Sequence, residues 1–168
     1  MRKVLLIAVL ALFGFSVNAQ EGFKIGVLAG LPVGDAADFS SFNLGLDVVY
    51  HWGVSDSFGL GVATGFTNTF GKEMTFNDGG SSIAIDAEDV QFLPIAASGR
   101  VMVTEELSLG ADLGYAVGIN EFNDGGFYYR PIIGYNVGEK TELNFSYSGV
   151  SLDGGSWSTI NLGVLFTL

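Results

Sequence analysis

From Glu142 to Leu168 apolar and polar residues alternate with a period of two. Leu143, Phe145 and Tyr147 fall on one phase, and Glu142, Asn144, Ser146 and Ser148 on the other. After Asp153-Gly154-Gly155, Ile160, Leu162, Val164, Phe166 and Leu168 alternate with Asn161, Gly163 and Thr167. A period of two puts successive side chains on opposite faces of a strand. In a sheet that meets water the second face normally carries Lys and Glu. Here it carries Asn, Ser, Thr and Gly. Strands of about ten residues, apolar outward and polar or small inward, are the pattern of a transmembrane β-barrel.

The same alternation runs through the chain before it. Phe23–Leu31 sets Phe23, Ile25, Val27, Ala29 and Leu31 against Lys24, Gly26, Leu28 and Gly30, with Pro32 as its expected end. Phe42–Trp52 sets Phe42, Leu44, Leu46, Val48, Tyr50 and Trp52 against Asn43, Gly45, Asp47, Val49 and His51. Phe58–Phe70 places Gly59, Gly61, Ala63 and Gly65 inward. Val90–Val101 has no clear phase, and Pro94 within it predicts a bulge or local break, because proline has no N–H for the ladder. Leu107–Val117 and Phe127–Val137 alternate again, and the closing hairpin brings the total to eight strands.

Gly53–Ser57, Thr104–Glu106 and Gly138–Thr141 are short connections, while those between them are mostly longer and acidic. Outer-membrane barrels have short periplasmic turns and longer external loops. This register puts Trp52, Phe58 and Phe166 near the inner rim, and Phe42, Phe70, Phe127 and Trp157 near the outer one. The longest connection, Gly71–Asp89, contains Asn77-Asp78-Gly79, where Asp-Gly predicts a small extra hairpin.

Residues 1–19 read as something else. Met1-Arg2-Lys3 is a basic start, Val4 to Phe15 is apolar, and Val17-Asn18-Ala19 offers a signal-peptidase site. The expectation is a cleaved signal peptide, with residues 20–168 as one barrel domain. The apolar run is too short for a membrane-spanning helix, which needs about 20 residues. The exported part has five basic residues against 18 acidic ones, a net charge of −13. That excludes a nucleic-acid partner, since no basic patch could displace counterions. Only 15% of residues are charged, against about 25% in ordinary soluble domains. Cysteine is absent, so no disulfide framework is expected.

In its signal, its Gly-rich strands, Phe92-Leu93-Pro94-Ile95 and the final Gly163-Val164-Leu165-Phe166-Thr167-Leu168, the chain resembles the small outer-membrane barrels of Bacteroidetes. In architecture it resembles eight-stranded OmpA/OmpX-type barrels. The resemblance implies an all-β, antiparallel up-and-down barrel in the outer membrane, in contact with its lipid and monomeric. It implies no activity.

Four functions compete for such a chain: a structural or surface-interaction barrel with a filled bore, a narrow pore for small solutes, a lipid-modifying membrane enzyme, and a soluble lipocalin-like carrier. A carrier wants an apolar bore and a charged exterior, the reverse of this pattern. An aqueous channel wants about sixteen strands. An enzyme wants a nucleophile, base and orienting group together. The single histidine, His51, lies beside rim aromatics at the short-turn end, where an interfacial role is expected. No catalytic, metal or cofactor site is therefore expected. What remains is a filled bore and exposed acidic loops.

Lys24, Asp47, Asp112, Arg130 and Glu142 all fall on the inward phase, and an ion-pair network is expected there. Within it, Asp47 is expected diagonal to Lys24, and Arg130 beside Asp112, with Arg130→Ala loosening the barrel and raising its conductance. Asp35, Asp38, Phe39, Glu73, Phe76, Asp78, Phe122, Asp124 and Trp157 are the expected loop residues for an extracellular protein or glycan.

Overall fold

A computed structural model describes residues 22–78, 81–121 and 123–168; for residues 74–86 only the backbone is described. The elements are β1 (Gly22–Val33), a short helix α1 (Asp35–Phe39), β2 (Ser40–Ser55), β3 (Phe58–Gly71), β4 (Glu73–Asp78), β5 (Ser81–Asp86), β6 (Val90–Met102), β7 (Leu107–Gly118), β8 (Gly126–Asn136), β9 (Thr141–Leu152) and β10 (Gly155–Thr167). Eight strands close into an antiparallel barrel in the order β1-β10-β9-β8-β7-β6-β3-β2. Closure is made by β1 on β10, from Lys24 opposite Thr167 to Val33 opposite Ser158. No strand edge of the barrel is left open, which is the condition for a sheet to sit in lipid.

Where a barrel strand has a clear apolar phase, that phase faces outward. Val27, Leu46, Val62, Ile95, Leu113, Ile133, Phe145 and Leu162 are exposed around the circumference, Leu162 at 67%. The buried residues are instead largely Asn, Ser, Thr, Asp and Arg, inside the bore. A continuous apolar belt around a polar interior is the inverse of a water-soluble protein and suits a hydrocarbon solvent.

Aromatic residues mark both rims. At the short-turn end, Phe23 lies 4.9 Å from Tyr50 and Tyr50 lies 5.0 Å from Trp52, centroid to centroid. At the other end Phe42 pairs with Phe70 across β2 and β3. On β8 and β9, elsewhere around the barrel, run Phe127, Tyr129 and Tyr147, whose rings are 6.4 and 6.1 Å apart in succession. Tyr129 covers Gly149 so closely that a Cβ there would run into its ring.

The prolines explain where the ladders lapse. Pairing of β3 with β6 stops between Thr64–Ile95 and Thr67–Phe92, at Pro94. Pairing of β8 with β9 stops between Tyr129–Gly149 and Ile132–Ser146, at Pro131. The register is the same on either side of each lapse, so these are local breaks and not bulges. Pro32 does not end β1: the strand continues to Val33 against β10, although its ladder to β2 ends at Gly30. A proline is tolerated at such a half-paired strand end.

The closing hairpin turns on two residues, Asp153 and Gly154, with Gly154 at φ 96°. Positive φ is what a tight hairpin turn demands and what glycine supplies. β4 and β5 form the extra two-stranded hairpin, Glu73 opposite Asp86 through Asp78 opposite Ser81. Helix α1, with five residues and no side-chain cap, gave no periodic signal in the sequence.

A closed ladder of this kind is expected to resist SDS until heated. Unboiled protein should migrate differently from boiled protein, with a β-type far-UV circular dichroism spectrum; a helical spectrum would contradict the fold.

Candidate functional site: the bore

Alternation sends Lys24 (β1), Asp47 and His51 (β2), Ser98 and Arg100 (β6), Asp112 (β7), Arg130 (β8) and Glu142 (β9) into one lumen. At its centre Arg130 donates through Nη1 to both carboxylate oxygens of Asp47, at 2.9 and 2.8 Å. Strands β8 and β2 lie opposite each other in the barrel order, so this contact crosses the whole bore. The same guanidinium donates through Nε to Asp112 Oδ2 at 3.0 Å, and its Nη2 lies 2.9 Å from that oxygen. Arg100 then donates to Asp112 Oδ1 at 2.9 Å. One guanidinium bridging two carboxylates uses the planar donor fork that distinguishes Arg from Lys.

Lys24 is not part of this strut. It pairs with Glu142 at 2.6 Å, reaching across β10. The diagonal placement of Asp47 relative to Lys24 holds in the register, where Asp47 sits opposite Gly26. The two are not in contact, because Asp47 turns to Arg130. Among the described residues each of the three bore carboxylates, Asp47, Asp112 and Glu142, contacts at least one of the three cations Lys24, Arg100 and Arg130.

His51 also departs from expectation. It is 4% exposed, inside the bore and not at the lipid interface, with its Nε2 2.8 Å from Ser98 Oγ. Ser98 donates its only proton to Asp112 Oδ1 at 2.7 Å. Ser98 therefore accepts from His51, which fixes the imidazole as the Nε2–H tautomer. Arg100 was missed by sequence reading because Pro94 and the small residues from Ala96 to Gly99 hide the phase of β6. Its separation of two from Ser98 was the available signal.

Toward the long-loop end the bore changes character. Phe92, Ala96, Ala116, Tyr128 and Val150 form a buried apolar cluster, with Val90, Leu152 and Trp157 packed on it. Beside this cluster lies an uncharged polar network. Asn43 donates to Asn161 Oδ1 at 2.9 Å, Thr69 donates to Asn43 Oδ1 at 3.0 Å, and Asn161 donates to Ser148 and Thr159 at 3.1 and 3.0 Å. The Asn43–Asn161 bridge passes over Gly30 of β1, where a Cβ would meet Asn161.

Trp157, expected at the outer loops, points inward. Its indole N–H donates to Thr69 Oγ1 at 3.2 Å, and its ring joins the cluster. The phase of β10 dictates this, since Trp157 shares it with Asn161 and Gly163. Other loop residues are distributed differently. Asp38, Phe39, Glu73 and Asp124 are exposed. Asp35 accepts from the backbone N–H of Ser156 at 3.3 Å, tying α1 to β10. Lys72 donates to the Ala37 carbonyl at 2.6 Å, tying α1 to the following loop. Phe76 and Asp78 lie on β4, where side chains are not described, and Phe122 lies outside the described residues, as does the expected signal segment.

Solved structures with this arrangement include natural outer-membrane barrels and a designed one. The crystal structure of Ail, the attachment invasion locus protein of Yersinia pestis, superposes with TM-score 0.56 at 18% identity, over 87% of this chain and 96% of Ail. The fold is that of the small outer-membrane barrels. Neisserial surface protein A matches with TM-score 0.50 at 16% identity, over 87% of this chain and 97% of its own. A de novo designed transmembrane β-barrel matches with TM-score 0.54 at 12% identity, over 92% and 100%. Ail has also been crystallised with the heparin analogue sucrose octasulfate. No family model matches the chain, and no curated protein sequence does.

Proposed function

We propose that this chain is an integral, monomeric outer-membrane barrel with a non-conducting bore, which presents acidic loops to the outside as a structural or surface-interaction protein. The observation that carries this reading is the Asp47–Arg130–Asp112 strut, with a 4%-exposed Arg130 reaching across the bore. Reconstituted wild-type protein should give no steady current in a planar bilayer. Large, regular single-channel steps would promote the narrow-pore reading instead.

The polar groups of the bore also argue against catalysis. Ser98, His51 and Asp112 are in hydrogen-bond contact, but the serine proton goes to the aspartate and the imidazole nitrogen beside it carries its own proton. The base that faces the hydroxyl is the Asp112 carboxylate, already paired with Arg100 and Arg130, and all three residues are buried away from lipid. The protein is therefore proposed to have no enzymatic activity.

The loops define the partner class. Asp38, Glu73, Glu88, Asp89, Glu121, Asp124 and Asp153 are exposed at the long-loop end, where Lys72 is already engaged with α1. A polyanion such as the heparin analogue seen with Ail would meet repulsion here. The chemistry favours a neutral glycan or a basic protein surface, in contact through Phe39 and the acidic side chains. Whole cells displaying the barrel should retain a basic protein probe at low salt and release it at high salt. Equal retention of heparin would overturn this assignment.

A further inference from the structure

At the short-turn end the bore opens into a cavity of about 30 Å³, lined by Lys24, His51, Arg100, Ser108, Asn136 and Glu142 together with Gly59 and Met102. Such a volume holds one or two waters or a single monatomic ion. We infer that this cavity is a binding site for a small inorganic anion of halide size.

The donors in the walls outnumber the acceptors. Arg100 directs Nη1 to Asp112 and to the Gly99 carbonyl, leaving its other N–H groups without a protein acceptor among the described residues. Lys24 has three ammonium protons and one partner, Glu142. The Asn136 amide adds a further neutral donor. His51 gives its Nε2–H to Ser98, so it supplies none of the binding donors. Glu142 is the one carboxylate in the lining, against two cations. Asp112, which balances Arg100, is fully buried behind it and does not line the cavity.

Burial strengthens the attraction. The side chains of Lys24 and Arg100 are only 15% and 11% exposed, so their charges act with little water between them and an ion. The cavity is open toward the short-turn end, with the strut and the apolar cluster lying across the bore beyond it.

Bromide is the probe. Crystals of the folded, detergent-solubilised barrel grown with sodium bromide should show an anomalous peak beside Arg100. In solution, the Arg100 side-chain resonance should shift with sodium bromide but not with sodium gluconate at equal ionic strength, since gluconate cannot enter. Glu142→Gln removes the repelling wall charge and frees Lys24, and should tighten bromide binding about tenfold or more. Arg100→Gln should abolish the shift of the remaining lining resonances; if that variant does not fold, the wild type and Glu142→Gln still decide. No anomalous peak and no bromide-specific shift in either protein would mean that the cavity holds water only and would overturn the assignment. An equal shift with gluconate would do the same.

Discussion

Arg130→Ala is expected to destabilise the barrel by about 3–5 kcal/mol, the usual consequence of leaving a buried charge without its partner. The readout is the temperature at which the unboiled protein shifts to its unfolded mobility in SDS, which should fall clearly. The structure specifies which carboxylate bears the damage. Asp112 keeps Arg100 at 2.9 Å after Arg130 is gone. Asp47, 3% exposed, has no other cation in contact among the described residues. Asp47→Asn added to Arg130→Ala should therefore restore much of the loss. Asp112→Asn added to Arg130→Ala should restore less, because it strands Arg100 in turn. An Arg130→Ala barrel that unfolds at the wild-type temperature would show that the strut contributes nothing to holding the strands. Rescue by Asp112→Asn but not by Asp47→Asn would assign the dependence to the wrong pair.

Why sequence reading found the members of this network but not all of its pairings follows from what alternation can convey. A period of two fixes the face on which a side chain lies, and so Lys24, Asp47, Asp112, Arg130 and Glu142 could all be placed inside the bore. It conveys partners only along neighbouring strands. Asp112 and Arg130 sit directly opposite each other on β7 and β8, and their contact was legible. Asp47 and Arg130 are on opposite sides of the barrel, and only closure of eight strands makes them neighbours. The same limit explains Lys24, whose partner lies two strands away across β10. His51 and Trp157 were misplaced for a different reason. Both are residue types common at membrane interfaces, but their strand phase is inward and their side chains bond to Ser98 and Thr69 inside the bore. Strand ends and connections were legible because Asp-Gly tips and prolines act locally, whereas a five-residue helix leaves no pattern to read.

The second large effect concerns conduction, where the apolar cluster changes what a mutation in the strut should do. From the inward charges alone, Arg130→Ala would be expected to open the bore. The structure adds a second barrier in series. Phe92, Tyr128, Val150 and Trp157 pack together toward the long-loop end, and if the bore is closed as proposed, an ion meeting this apolar cluster must give up water without receiving polar contacts in return. Removing Arg130 and neutralising Asp47 should therefore leave bilayer conductance near zero. Phe92→Ala with Trp157→Ala should also leave it near zero, because Arg130 still reaches from β8 to Asp47 on β2. The four substitutions together should produce steady ionic current, an effect far larger than the sum of the two pairs. Each variant must first show the heat-dependent gel shift of a closed barrel, so that a silent bilayer reports on the bore and not on failed insertion. Steady current from Arg130→Ala/Asp47→Asn alone would show that the apolar cluster is no seal. A folded quadruple variant that stays silent would show that the Asn43, Thr69 and Asn161 network closes the passage by itself.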